Sequence, residues 1–159
     1  MSDQIDFEFE VIPLAKTSDD YYTPKWIFDA LGLEFDLDVA SPVGGISWIP
    51  AKRYFTQYED GLAQDWSGRV WMNPPYSQTQ VWVDKWLKHG NGITLIQISK
   101  ALWFNKLWET EIQMCLMPSN FKFSKGNGEM AGILMPTVLV ALGEENIIAL
   151  KSSGIGFMR

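Results

Sequence analysis

The residues best suited to chemistry stand together at Asn73-Pro74-Pro75-Tyr76, directly after the short apolar run Arg69 to Met72. Each proline fixes its φ and offers no N–H. The Asn73 side-chain oxygen and the Pro74 carbonyl are therefore two acceptors in a rigid frame. Aimed at the N–H groups of one planar amine, they would favour a more tetrahedral nitrogen and free its lone pair for attack. That is electrostatic preorganisation, with no covalent intermediate needed. Tyr76 adds a flat face for a base, a contact worth about 1–3 kcal/mol. The structural alternative is a Pro-Pro turn capped by an aromatic ring.

Such a turn needs a sheet behind it. Leu33 to Ala40 reads as a strand, with Phe35, Leu37 and Val39 alternating against Glu34, Asp36 and Asp38. Further strands are expected at Arg53 to Thr56, Arg69 to Met72, Ile93 to Ser99 and Ile112 to Met117, with a final pair at Thr137 to Gly143 and Asn146 to Leu150. Thr23 is a good N-cap for a helix from Lys25 to Leu31, with Pro24 in its first turn and Gly32 ending it. Trp82, Val83, Trp86 and Leu87 form one apolar stripe over Gln80 to Lys88; Trp103, Phe104, Leu107 and Trp108 form another over Leu102 to Thr110. Ser119 to Gly132 reads as a hairpin or flexible loop, and Glu59-Asp60-Gly61 as a turn. This alternation predicts an α/β domain with a mostly parallel sheet flanked by helices. Ligands of such sheets bind beyond the carboxyl ends of the strands. Asp38-Val39-Ala40-Ser41 and the Asn73 tetrad both lie at such ends.

The 159 residues are 47% apolar and 20% charged, which fits one globular domain. A single cysteine, Cys115, excludes an internal disulfide, and a single histidine, His89, excludes a site with two histidine ligands; no metal is expected. No apolar run reaches the ~18 residues of a membrane span, and the acidic start is unlike a signal peptide. The expected compartment is the cytoplasm. Residues 1–18 form an acidic segment in which Phe7, Phe9 and Val11 suggest a short strand; 19–159 form the domain. The net charge of −6 argues against a nucleic-acid partner, but it is uneven. Residues 1–38 hold 10 acidic and 2 basic side chains; the rest hold 9 and 11. The lysines Lys85, Lys88, Lys100, Lys106, Lys122 and Lys125 form either solvated helix faces or a weakly basic surface beside a site. His89 reads as a helix-end cap, Cys115 as buried, and Met114, Met117, Met130 and Met135 as core filler.

Arg69 to Ser77 resembles motif IV of the amino-methyltransferases, which carry methyl groups from S-adenosylmethionine to planar amino nitrogens. The likeness extends further. Asp20 to Pro24, Glu34 to Ser41, Tyr54-Phe55-Thr56, Asp60 to Trp66 and Val70 to Ser77 resemble, in the same order, the phage-type Dam family of DNA N6-adenine methyltransferases. A weaker echo follows at Phe121 to Ser124 and Thr137 to Val140. The resemblance implies a minimal Rossmann-like, S-adenosylmethionine-dependent fold that methylates the N6 amine of adenine in DNA. It implies catalytic roles for Asn73, Pro74, Pro75 and Tyr76. It implies that Tyr22, Thr23 and Pro24 cradle the methionine part of the cofactor and that Asp38, beside Ala40 and Ser41, binds its amino group. Asp65 would accept from the cofactor's adenine amine and Trp66 would pack beside that adenine. For a phage-borne enzyme the compartment would be the host cytoplasm.

Two departures stand out. Gly44 and Gly45 fall later than the glycines of a typical methyltransferase cofactor loop. Only 32 residues lead from Ser41 to Asn73, which leaves no room for an inserted target-recognition domain. Sequence reading would fall to Ser77 to Gln80, to Ser119 to Gly132 or to a partner subunit, with low or short-site specificity. Two other functions share these features. The same tetrad serves enzymes that methylate glutamine amides in proteins, and a degenerate, non-catalytic binding module would also carry displaced glycines.

Overall fold

The computed structural model describes residues 21–125, 129–132 and 135–159. The expected strand around Phe7 to Val11 lies outside them. The chain forms α1 (Lys25–Leu31), β1 (Phe35–Asp38), β2 (Ala51–Tyr54), β3 (Val70–Met72), α2 (Thr79–His89), β4 (Gly92–Gln97) and α3 (Leu102–Glu109). It continues with β5 (Gln113–Leu116), β6 (Phe123–Ser124), β7 (Met130–Ala131), β8 (Thr137–Leu142), α4 (Glu144–Ser152) and β9 (Phe157–Met158). Short 3-10 turns occupy Gly61–Ala63 and Tyr76–Gln78.

Seven of these strands form one sheet in the order β2-β1-β3-β4-β8-β5-β9. β1 pairs in parallel with β2 and β3, and β3 with β4. β8 is antiparallel to both β4 and β5, and β9 is antiparallel to β5. β1 to β5 therefore point one way while β8 and β9 reverse. The result is an α/β fold with a mostly parallel mixed sheet between two helical layers.

The two layers explain the apolar runs. Strands covered on both faces read as continuous hydrophobic stretches, as Val70-Trp71-Met72 and Val138-Leu139-Val140-Ala141 do. On one face α1 and α4 bring Phe28, Leu31 and Leu150 onto Trp71, Leu95 and Leu139. On the other, α2 and α3 bring Trp82, Trp86, Phe104 and Leu107 onto Val70, Met72, Ile96 and Val140. Each large apolar side chain so buried contributes about 1.5–3 kcal/mol.

The chain winds from β1 outward to β2, then returns past β1 to β3 and β4. The direction of winding thus reverses between β1 and β3. In open α/β sheets this is where a crevice opens beyond the carboxyl ends of the strands. Asp38 ends β1, and Asn73 follows β3.

The structure corrects three expectations. Asn146 to Leu150 is helix within α4, not strand. Glu144 and Glu145 in its first turn and Lys151 in its last suit the helix dipole. Asn146 is buried where its side chain accepts from Arg69 Nε at 2.7 Å and donates to Asn91 Oδ1 and the Leu142 carbonyl. The β-branched pair Ile147-Ile148 imitates a strand in so short a run; the last strand is instead Phe157–Met158. Thr23 is not the N-cap of α1. Pro24 holds that position without a side-chain cap, and Thr23 is fully buried. Met130 and Met135 are about half exposed, while Met114 and Met117 are core. The 119–132 segment is a hairpin in its described part, pairing β6 with β7. Cys115 is buried, as expected.

Candidate active site

A cleft of about 410 Å³ opens at the winding reversal. This lies within the roughly 300–1,000 Å³ that small-molecule and cofactor sites occupy. β1 brings Asp38, Val39, Ala40 and Ser41 to it; β3 brings Asn73 and Pro75; Tyr21 and Tyr22 close a third side.

Asn73 is held from a distance in sequence. Its Nδ2 donates to the Tyr21 carbonyl at 3.1 Å. With the NH2 committed there, the amide oxygen is left to receive a donor. Thr94 Oγ1 donates to the Met72 carbonyl at 2.8 Å and steadies the strand end before Asn73. Tyr22 is itself fixed, bridging Ser124 of β6 by two backbone hydrogen bonds of 2.8 Å. Phe123, fully buried, stacks on Tyr21 at 5.7 Å and meets the Tyr76 ring edge-on at 6.3 Å. The hairpin therefore braces both the segment that orients Asn73 and the ring of the tetrad.

Asp38 is 3% exposed, and its carboxylate accepts the Ala40 N–H at 3.2 Å. Burial pushes its pKa up to about 7, against a smaller lowering from that hydrogen bond. Among the described residues no Lys, Arg or His lines the cleft, whereas Asp38 and Asp60 both do. A buried carboxylate without a cation is costly. The cleft is suited to a positively charged ligand.

Its floor is shaped by a close approach. A β-carbon at Gly61 would run into the Val39 carbonyl and the Trp82 ring. The 3-10 turn can seat against the end of β1 only without one. Asp60, at φ 59°, accepts the Leu62 N–H at 3.2 Å.

The described structure brings Tyr22, Asp38, Ala40, Ser41, Asn73 and Pro75 together in this cleft. Thr23, Pro24 and Pro74 are buried and do not line it. Asp65 is exposed and outside the lining. Trp66 braces the cleft from behind: its Nε1 donates to the Gly61 carbonyl at 2.8 Å, and its ring stacks on Trp82 at 6.4 Å. The sequence reading missed Tyr21, Asp60 and Trp82. Asp60 had a signal, the Asp-Gly turn; the Tyr21 carbonyl had none.

Residues 13–129 match the family of DNA N-6-adenine-methyltransferases (Dam). The chain belongs to the Dam family. Comparison with curated proteins gave no match. The matched span of this Dam-family chain contains the whole lining of the cleft.

A second, larger cleft of about 860 Å³ adjoins the first, sharing Leu62, Ser77 and Gln78 with it. Tyr76 lines this second cleft and not the first. The Dam-family tetrad thus stands on the boundary between them. Lys85, one of the expected basic residues, is turned inward. It donates to the Leu62 and Gln64 carbonyls and lies over Trp66 at 5.1 Å. His89 ends α2 with Nε2 2.7 Å from the Gly68 carbonyl.

Proposed function

We propose that this protein transfers a methyl group from S-adenosylmethionine to the N6 amine of adenine in DNA, on a minimal Rossmann-like fold and in the cytoplasm. The observation that carries the reading is the meeting of a buried Asp38, with no cation beside it among the described residues, and an oriented Asn73 in one cleft at the sheet's winding reversal.

The residues fit the cofactor. Asp38 would receive its ammonium group, with Tyr22, Ala40 and Ser41 around it. Asp60, which lines the cleft where Asp65 does not, would take the acceptor role toward the cofactor's adenine amine. When bound, the cofactor supplies an electrophilic methyl on a sulfonium. The chain's own part lies on the amine side. The Asn73 oxygen, which faces the cleft where Pro74 does not, would accept an N–H group of adenine and help leave the nitrogen lone pair available. Tyr76 would stack on the base from the side of the second cleft. A base inside a duplex must first be flipped out, at a cost of a few kcal/mol.

The test is transfer of labelled methyl from S-adenosylmethionine to adenine-containing DNA, with a glutamine-containing protein as competing acceptor. Label on adenine N6 in the native protein and little in Asn73→Ala supports the reading. Label on protein amides, or equal activity of the variant, contradicts it.

A further inference from the structure

The second cleft differs from the first in its charged residues. Among the described residues its lining includes Lys100 and no carboxylate. Gln78, Gln80 and Gln97 place three primary amides there. No hydrogen bond among the described residues uses these side chains, and Gln78 and Gln80 are exposed. Each amide therefore has an acceptor and two donors available. Trp103 and Tyr76 add partly accessible rings. Free amides read base edges, a lone cation suits a phosphate, and rings stack on bases. Together they suit a nucleic-acid strand.

Position sharpens this. Asn73 and Pro75 line the first cleft and Tyr76 the second. A strand that delivered its adenine to Asn73 would lay a neighbouring nucleotide in the adjoining cleft. The other candidate reader, the β6–β7 hairpin, is committed elsewhere in its described part: Ser124 is tied to Tyr22, and Phe123 is buried against Tyr21 and Tyr76.

We propose that the second cleft reads the base next to the target adenine through Gln80 and Gln97, with Lys100 on an adjacent phosphate. The proposal rests on the DNA-adenine reading above and assigns sequence recognition to a chain in which no separate recognition domain is expected.

The experiment uses the full chain, S-adenosylmethionine and DNA pools with one adenine between randomised bases, read at single-base level. The native protein is expected to prefer one neighbouring base by about fivefold or more. Combined Gln80→Ala and Gln97→Ala should reduce that ratio to below about twofold. Gln97→Glu, which keeps the shape but only accepts hydrogen bonds, should move the preference toward cytosine. Thermal melting of each variant checks that it is folded. Lys100→Ala should weaken binding to all sequences alike and reduce the salt slope by about 1. An unchanged preference in the glutamine variants, or no neighbour preference in the native protein, overturns this inference while leaving adenine methylation intact. Failure to methylate any member of the pools, with cofactor bound, overturns the DNA reading and this inference with it.

Discussion

Among the described residues, the first cleft, on one side of Asn73-Pro74-Pro75-Tyr76, offers Asp38 and Asp60 without a cation; on the other side, the second offers Lys100 and glutamine amides without an acid. The net charge of −6 conceals this division. On the proposed reading, a cleft suited to a small cation and a cleft suited to a polyanion would place the two reactants on opposite sides of one rigid turn. The acidic composition therefore argues less against DNA than it first suggests, because recognition depends on charge at the cleft and not on the sum over the chain.

This contrast can be broken first at its boundary. Asn73→Ala removes the oriented acceptor and should lower single-turnover methyl transfer by about 10²–10³-fold. Cofactor affinity, measured by calorimetry, should change little. A parallel loss of affinity would mean that Asn73 only shapes the first cleft.

The next largest effect concerns the brace shared by both clefts. Phe123→Ala removes a fully buried ring and should cost about 3–5 kcal/mol in denaturant unfolding. Phe123→Leu, which fills more of the space, should unfold less readily and still transfer methyl slowly, because Tyr21 and Tyr76 lose a common support. Native-like transfer by folded Phe123→Leu would remove the hairpin from the account.

A smaller effect separates two acids. Asp60→Asn should weaken cofactor binding by about 2- to 10-fold, the worth of one hydrogen bond, while Asp65→Asn should stay within about twofold of native. The reverse order would favour Asp65 in that role, as the sequence suggested.

The reasons for that difference show what was legible. Asp38 and Asn73 were found because alternation marked β1 and an apolar run marked β3, and both residues sit where those patterns stop. Helix α1 was equally plain, since Gly32 ends it in the left-handed conformation. Other features depended on contacts distant in sequence. The Tyr21 carbonyl reaches Asn73 across 52 residues, and Ser124 pairs with Tyr22 from 102 residues further along the chain. The Asp60-Gly61 turn was visible, but its seat against the Val39 carbonyl was not. The Ile147-Ile148 pair misled because burial of Asn146 and the dipole-matched charges of α4 outweigh local β preference.

The first cleft is tested most directly through Asp38. Its raised pKa means that its stabilising contribution to the ligand-free fold is full below the ordinary carboxylate range and is lost as pH rises through about 7. A cationic ligand reverses that penalty. Calorimetry with S-adenosylmethionine across neutral pH should show native affinity rising with pH until about 7, then levelling. Asp38→Asn should bind at least about tenfold more weakly, without that pH dependence, and should melt higher than the native protein when both are ligand-free above pH 7. DNA binding, followed by anisotropy, should be unchanged. Native-like, pH-dependent cofactor binding by Asp38→Asn would contradict the assignment of the first cleft.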